Sequence, residues 1–145
     1  MKRYAALDVG DKTVGIAVSD ELNLTAQGVT TVLRRDEATD FADIAKILDE
    51  YAIRDIVIGL PKNMNGTEGE RCAVVREFAE KLLTEIPSAK VFFQDERLST
   101  VAAERTLKEA GQRRKKRKKV VDKMAAVIIL QAYLDRLRNR EEINF

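Results

Sequence analysis

The chain has 145 residues and a formal net charge of +2, from 26 basic and 24 acidic side chains, with no histidine, no tryptophan and one cysteine. At 45% hydrophobic and 34% charged it has the composition of a globular chain, neither disordered nor fibrous, and its length suits one domain over residues 1–145. The missing histidine excludes a Ser-His-Asp triad, a Cys-His pair and a His-based zinc site. The lone Cys72 excludes an intrachain disulfide and a multi-cysteine metal site, so any catalysis must rest on carboxylates, lysines, hydroxyls or bound metal.

The longest apolar run, Met124 to Leu130, is far short of the roughly 18 residues that a membrane span needs. The start, Met-Lys-Arg-Tyr-Ala-Ala-Leu-Asp, meets an acid before a signal-peptide stretch could form, so a cytoplasmic location without a membrane partner is expected. Tyr4 to Asp8 is apolar and closes on an acid, Val9-Gly10-Asp11-Lys12 is turn-like, and Val14 to Asp20 alternates with Val14, Ile16 and Val18 on one side, which predicts a hairpin. Leu24 to Leu33, rich in Thr and Val, predicts a third strand and an antiparallel meander. Asp36 to Tyr51 carries Phe41, Ile44, Ile47 and Leu48 at helical spacing behind an acidic first turn. Asp55 to Leu60 lacks alternation, as a strand buried on both faces does.

After a Gly59 to Gly69 loop, Thr67 and Glu70 form a capping box predicted to open a helix with the stripe Val74, Val75, Phe78, Leu82 and Leu83, ended at Pro87-Ser88. Cys72, early in that helix, is expected to pack. Lys90 to Glu96 predicts another buried strand. Ser99 or Thr100 then caps a helix running to about Gly111, and a basic run leads into a last helix over Val120 to Arg138. That helix is apolar nearly all round from Met124 to Leu134 and is expected in the core. The order β-β-β-α-β-α-β-α-α predicts an α/β fold. Its mixed five-stranded sheet has three antiparallel meander strands followed by α-β units, flanked by helices, an order shared by the ribonuclease H-like fold.

The small net charge hides an asymmetry. Between Lys108 and Lys123 there are nine basic and two acidic residues, a local +7 that leaves −5 on the rest. Most of it is Arg113, Arg114, Lys115, Lys116, Arg117, Lys118 and Lys119, adjacent cations that repel one another and predict a solvated, mobile loop. Such a run either solubilises the chain or contacts a phosphate backbone by counterion release, with binding that weakens steeply in salt.

Acids stand where open α/β sheets gather their functional groups, at the carboxyl ends of strands: Asp8 after the first and Asp95-Glu96 after the last. Asp122 follows the basic run, in the first turn of the final helix. Carboxylates that converge repel unless a cation lies between them, and hard Mg²⁺ or Mn²⁺ with oxygen ligands meets that need. Two such ions can activate water and stabilise a leaving oxygen in phosphodiester hydrolysis, a chemistry that requires no histidine. Each acid also has a purely structural reading: Asp8 as a turn former, Asp95 or Glu96 as a partner of Arg97 or a helix cap, Asp122 as a first-turn acid suited to the helix dipole. Alternation sends only one of Asp95 and Glu96 inward. Candidate nucleic-acid contacts are Lys12 in the first turn, Lys62 and Asn63 in the loop before the second helix, Arg97, and the run from Arg113 to Lys119. That loop, following a buried strand and leading into a helix N-terminus, suits an anion as well as it suits an ordinary connection.

The same residues resemble a known family. Leu7-Asp8-Val9-Gly10 with Lys12 to Asp20, Val57 to Pro61 with Asn63 to Gly69, Asp95 to Thr100 with Ala103-Glu104-Arg105, and Asp122 to Val127 are similar to four blocks of the YqgF (RuvX) family. Its members are ribonuclease H-like proteins described as Holliday-junction resolvases and as nucleases maturing the 5′ end of pre-16S ribosomal RNA. The resemblance implies a catalytic, metal-binding set at Asp8, Glu96 and Asp122, and favours Glu96 over Asp95. Asp11 departs from the small hydroxyl residue that the family often carries there.

The expectation is a metal-dependent nuclease using Mg²⁺ or Mn²⁺, acting in 5′-end processing of pre-16S rRNA. Its partners would be structured RNA or branched DNA and ribosomal precursor particles, and it would be a monomer or weak dimer. Junction resolution is the alternative, although symmetric cleavage needs a dimer and no dimer face is evident. A non-catalytic RNA-binding assembly factor is a second class, and an actin-like phosphotransferase a distant third, because 145 residues leave no room for its second lobe.

Overall fold

The computed structural model describes residues 2–97 and 114–143, with side chains described over 2–97 and 124–140. Five strands form one sheet: β1 (Tyr4–Val9), β2 (Thr13–Ser19), β3 (Ala26–Leu33), β4 (Asp55–Leu60) and β5 (Lys90–Asp95), in the order β3-β2-β1-β4-β5. β1 pairs antiparallel with β2 and β2 with β3, whereas β4 lies parallel to both β1 and β5. The mixed sheet and the meander are those expected. The helices are α1 (Glu37–Tyr51), α2 (Glu70–Glu85) and α3 (Arg114–Ile143). The helix expected from Ser99 or Thr100 to Gly111 lies outside the described residues.

Two apolar clusters sandwich the sheet. Leu7, Ile16, Ile56 and Ile58 point to one face, where Ile44, Leu48, Val75 and Leu82 of α1 and α2 cover them. Ala6, Ala17 and Val57 point to the other, against Ala126, Ile129, Leu130, Tyr133 and Leu134 of α3. The small residues on this second face let the long helix approach closely, and its buried positions recur at the spacing of one helical stripe. β1 is central, and Ala5, Ala6 and Leu7 are fully buried.

Three local expectations are corrected. α2 begins at Glu70 with Gly69 as its N-cap and no side-chain cap bond. The Thr67–Glu70 capping box does not form, because Thr67 Oγ1 donates to Asn65 Oδ1 at 2.6 Å and accepts from Asn63 Nδ2 at 3.0 Å. A loop that satisfies its own polar groups competes with the helix for them. The buried stripe of α2 is Cys72, Val75, Phe78, Ala79 and Leu82, with Val74 and Leu83 turned outward; Cys72 packs as expected. Finally, residues Arg114 to Lys119 are helical, not a loop. Lys and Arg are strong helix formers, and that propensity outweighs their mutual repulsion. Asp122 is therefore two turns inside α3 and not in its first turn, which removes its reading as a dipole-favoured cap.

Candidate active site

The site is a consequence of strand alternation. On β1, Leu7 and Val9 face α1 and α2, so Asp8 shares the α3 face with Ala6. Asp8 lies opposite Gly15 of β2. On its other side the register Leu7↔Ile58, continued by one residue, brings Gly59 of β4 beside it. Asp8 thus has a glycine at the neighbouring position of each adjacent strand, so neither β2 nor β4 places a side chain of its own beside this carboxyl. On β5 the alternation places Asp95 on the α1/α2 side and Glu96, just past the strand, on the side of Asp8.

Glu96 is tied down by its backbone, whose N–H donates to Leu60 O at 3.2 Å, and by the floor beneath its side chain. A Cβ built on Gly59 would lie 2.1 Å from Glu96 Oε1, 2.7 Å from its Cδ and 2.6 Å from Ile129 Cδ1. A glycine within a strand marks close approach of another group, and here that group is the Glu96 carboxyl. Lying over Gly59, it meets the Asp8 side chain and is hydrogen-bonded to it. Its pKa is pushed up to about 8, first by burial, then by the charge of Asp8 and the hydrogen bond to it. The pair thus favours keeping one proton between Glu96 and Asp8.

Asp95 does the opposite. Arg97 Nη2 donates to Asp95 Oδ2 at 2.6 Å and Arg97 Nε to the same oxygen at 2.9 Å. This fork, chiefly, holds the Asp95 carboxyl below the usual carboxylate range. Of the two acids the sequence left open, Asp95 makes the ion pair and Glu96 joins Asp8. Arg97 also donates to Met64 O at 3.3 Å and lies over Gly66, whose φ of +87° suits glycine, so it braces the loop before α2.

The other expected contacts are spread around this end of the sheet. Lys12 is exposed in the β1–β2 turn and Lys62 is half-buried after β4, while the Asn63 side chain is engaged within its own loop. Arg113 lies outside the described residues, as do the side chains of Arg114, Lys115, Lys116, Arg117, Lys118, Lys119 and Asp122. Among the described residues no three acidic, His or Cys side chains group closely enough to hold a metal ion, so the described carboxylate set is the pair Asp8 and Glu96.

Two residues escaped the sequence reading. Gly59 could have been found from its place inside an otherwise unbroken apolar strand. Arg71, in the first turn of α2, donates from Nη1 to Asp11 Oδ1 at 2.6 Å and from Nη2 to Val9 O at 3.2 Å. Its charge acts on Glu96, opposing the upward shift. A cation at the positive end of a helix was the available signal.

This architecture defines a class. The fold matches T. thermophilus RuvC, solved in complex with Holliday junction substrate, with a TM-score of 0.57 at 13% identity over 94% of this chain and 96% of that one. It also matches the fowlpox virus resolvase in complex with Holliday junction DNA, with a TM-score of 0.51 at 10% identity over 93% and 98%. It is the RuvC-like form of the ribonuclease H fold. Residues 2–136 match the RuvX family, described as Holliday junction resolvase, and the chain belongs to that family of nucleases. Over 135 residues, 93% of this chain and 98% of theirs, it is 53% identical to proteins of Clostridium botulinum strains Hall and Langeland named "Putative pre-16S rRNA nuclease".

Proposed function

We propose that this protein is a metal-dependent nuclease that hydrolyses phosphodiester bonds in the 5′-end processing of pre-16S rRNA, acting in the cytoplasm. The observation that carries the reading is the meeting of Asp8 and Glu96 over Gly59. Two oxygen-donor side chains, forced together by the fold and sharing a proton, make a donor set suited to a hard divalent ion such as Mg²⁺ or Mn²⁺. Asp8 and Glu96 would hold that ion, with Asp122 as the proposed third ligand. The ion supplies activation of a bound water and charge neutralisation at the leaving oxygen. The protein's own part is to hold the two carboxyls at fixed separation, Asp8 on the central strand and Glu96 over the glycine floor. It also keeps β2 from placing a side chain beside Asp8, since the facing residue there is Gly15. The basic residues from Arg113 to Lys119 would hold the polyanion that the acids repel.

The relatives' name favours precursor rRNA as substrate. The family's description favours a four-way DNA junction, which makes junction cleavage the second reading. Cleavage of a precursor 16S rRNA fragment and of a DNA junction with Mn²⁺, comparing the natural sequence with Asp8→Asn, tests both. Metal-dependent cleavage of the RNA, lost in Asp8→Asn, is expected; cleavage of neither substrate would overturn the nuclease reading.

A further inference from the structure

Arg71 stands out by its position. It is exposed in the first turn of α2, where the helix dipole disfavours a cation. It is held from across the site by the β1–β2 turn, through the bonds to Asp11 Oδ1 and Val9 O. Val9 directly follows Asp8, and the guanidinium charge is felt at Glu96; Arg71 therefore stands at the rim of the carboxylate pair. Its acidic partner is a weak one. The Asp11 side chain is 82% exposed and that of Arg71 45%, and an exposed ion pair of this kind adds little stability. A phosphate offers the guanidinium fork two oxygens in the geometry it prefers, and competes well against one solvated carboxylate.

We propose that Arg71 binds a backbone phosphate of the nucleic-acid substrate next to the reacting bond, and that Asp11 is an internal anion that occupies Arg71 until the phosphate displaces it. The inference rests on the nuclease reading for its meaning, but its test is a binding measurement that does not require cleavage. Asp11 would thus lower affinity by competition, and removing the two partners should have opposite effects.

The test uses the full chain in the Asp8→Asn background. Fluorescence anisotropy is followed over about 50 to 200 mM salt, with two labelled probes: an RNA hairpin carrying a precursor 5′ extension, and a four-way DNA junction. Arg71→Gln is expected to weaken binding about tenfold and to lower the slope of log affinity against log salt by about one. Arg71→Lys should keep the slope and recover only part of the affinity, since the charge remains and the fork is lost. Asp11→Asn should tighten binding about two- to fivefold, and the tightening should vanish when Arg71→Gln is added. An effect on RNA alone or on the junction alone supports the contact and identifies the phosphate's source. If the pair merely ties the turn to α2, Asp11→Asn and Arg71→Gln weaken binding together, and that result overturns the proposal. Failure of the natural sequence to cleave either substrate would instead remove the nuclease reading while leaving the Arg71 binding measurement intact.

Discussion

The substitution Gly59→Ala probes the site with a single methyl group. The added carbon would stand 2.1 Å from Glu96 Oε1 and 2.6 Å from Ile129 Cδ1. Ordinary contacts are about 3.3 Å to oxygen and about 3.7 Å to carbon, so each neighbour must retreat by about 1 Å. The Gly59 backbone is not in the left-handed region, so alanine meets no conformational penalty and the whole effect is steric. The Glu96 carboxyl is the far end of a flexible side chain and yields first, moving off Asp8; Ile129, buried against the sheet, yields less. Overpacking of this size costs about 1–3 kcal/mol, a drop of about 2–12 °C in melting temperature for a chain of this length. A misplacement of about 1 Å in a reacting constellation costs about 100-fold in rate. Single-turnover cleavage at saturating Mn²⁺, alongside thermal unfolding, measures both. The reasoning would be refuted by a Gly59→Ala protein that cleaves within threefold of the natural rate and melts at the natural temperature.

Four further outcomes follow from the same geometry. Because the folded-state pKa of Glu96 is raised from 4.5 to about 8, the native state retains a proton that the unfolded chain releases. This contribution to metal-free stability should therefore be fully present below pH 4.5 and be lost as pH rises through about 8, by at most about 5 kcal/mol; melting curves in EDTA should show this, and Mn²⁺ should flatten it. Asp8→Asn removes the facing charge and should raise the metal-free melting temperature above pH 8 while abolishing the Mn²⁺-induced shift. Gln94 Oε1 is buried with no hydrogen-bond partner among the described residues, so Gln94→Leu should stabilise the fold by about 1 kcal/mol in urea titration. Replacing Arg113 to Lys119 by glutamine should weaken binding to all nucleic acids and lower the salt slope by about one per lost phosphate contact; an unchanged slope would make this stretch a mere helix extension.

Much of the fold was legible because strand signals here are local. The alternation of Val14, Ile16 and Val18 and the unbroken run Ile56-Val57-Ile58 both lead directly to the sheet that forms. What failed depended on competition between groups. Thr67 was free on paper to cap α2, but Asn63 and Asn65 engage it first. Val74 and Leu83 outrank Cys72 and Ala79 in hydrophobicity, yet the small residues are the ones that face the sheet. In the seven-cation run repulsion argues for a loop, but the residues also favour a helix, and from Arg114 onward the helix prevails. At the site, residue parity placed one of Asp95 and Glu96 inward, but choosing between them requires knowing that the α3 face carries Asp8. Arg71 joins Asp11 across 60 positions of sequence, a pairing that no local pattern encodes.

The two carboxyl groups ride on strands of unequal security. Asp8 belongs to the central strand β1, which is paired on both sides, whereas Glu96 hangs from the tip of an edge strand, whose described pairing is to β4 alone. Fraying that border is a smaller event than global unfolding. Catalytic competence should consequently disappear at lower denaturant than the far-ultraviolet signal, and amide exchange should be slower at Ala6 and Leu7 than near Gln94 and Asp95.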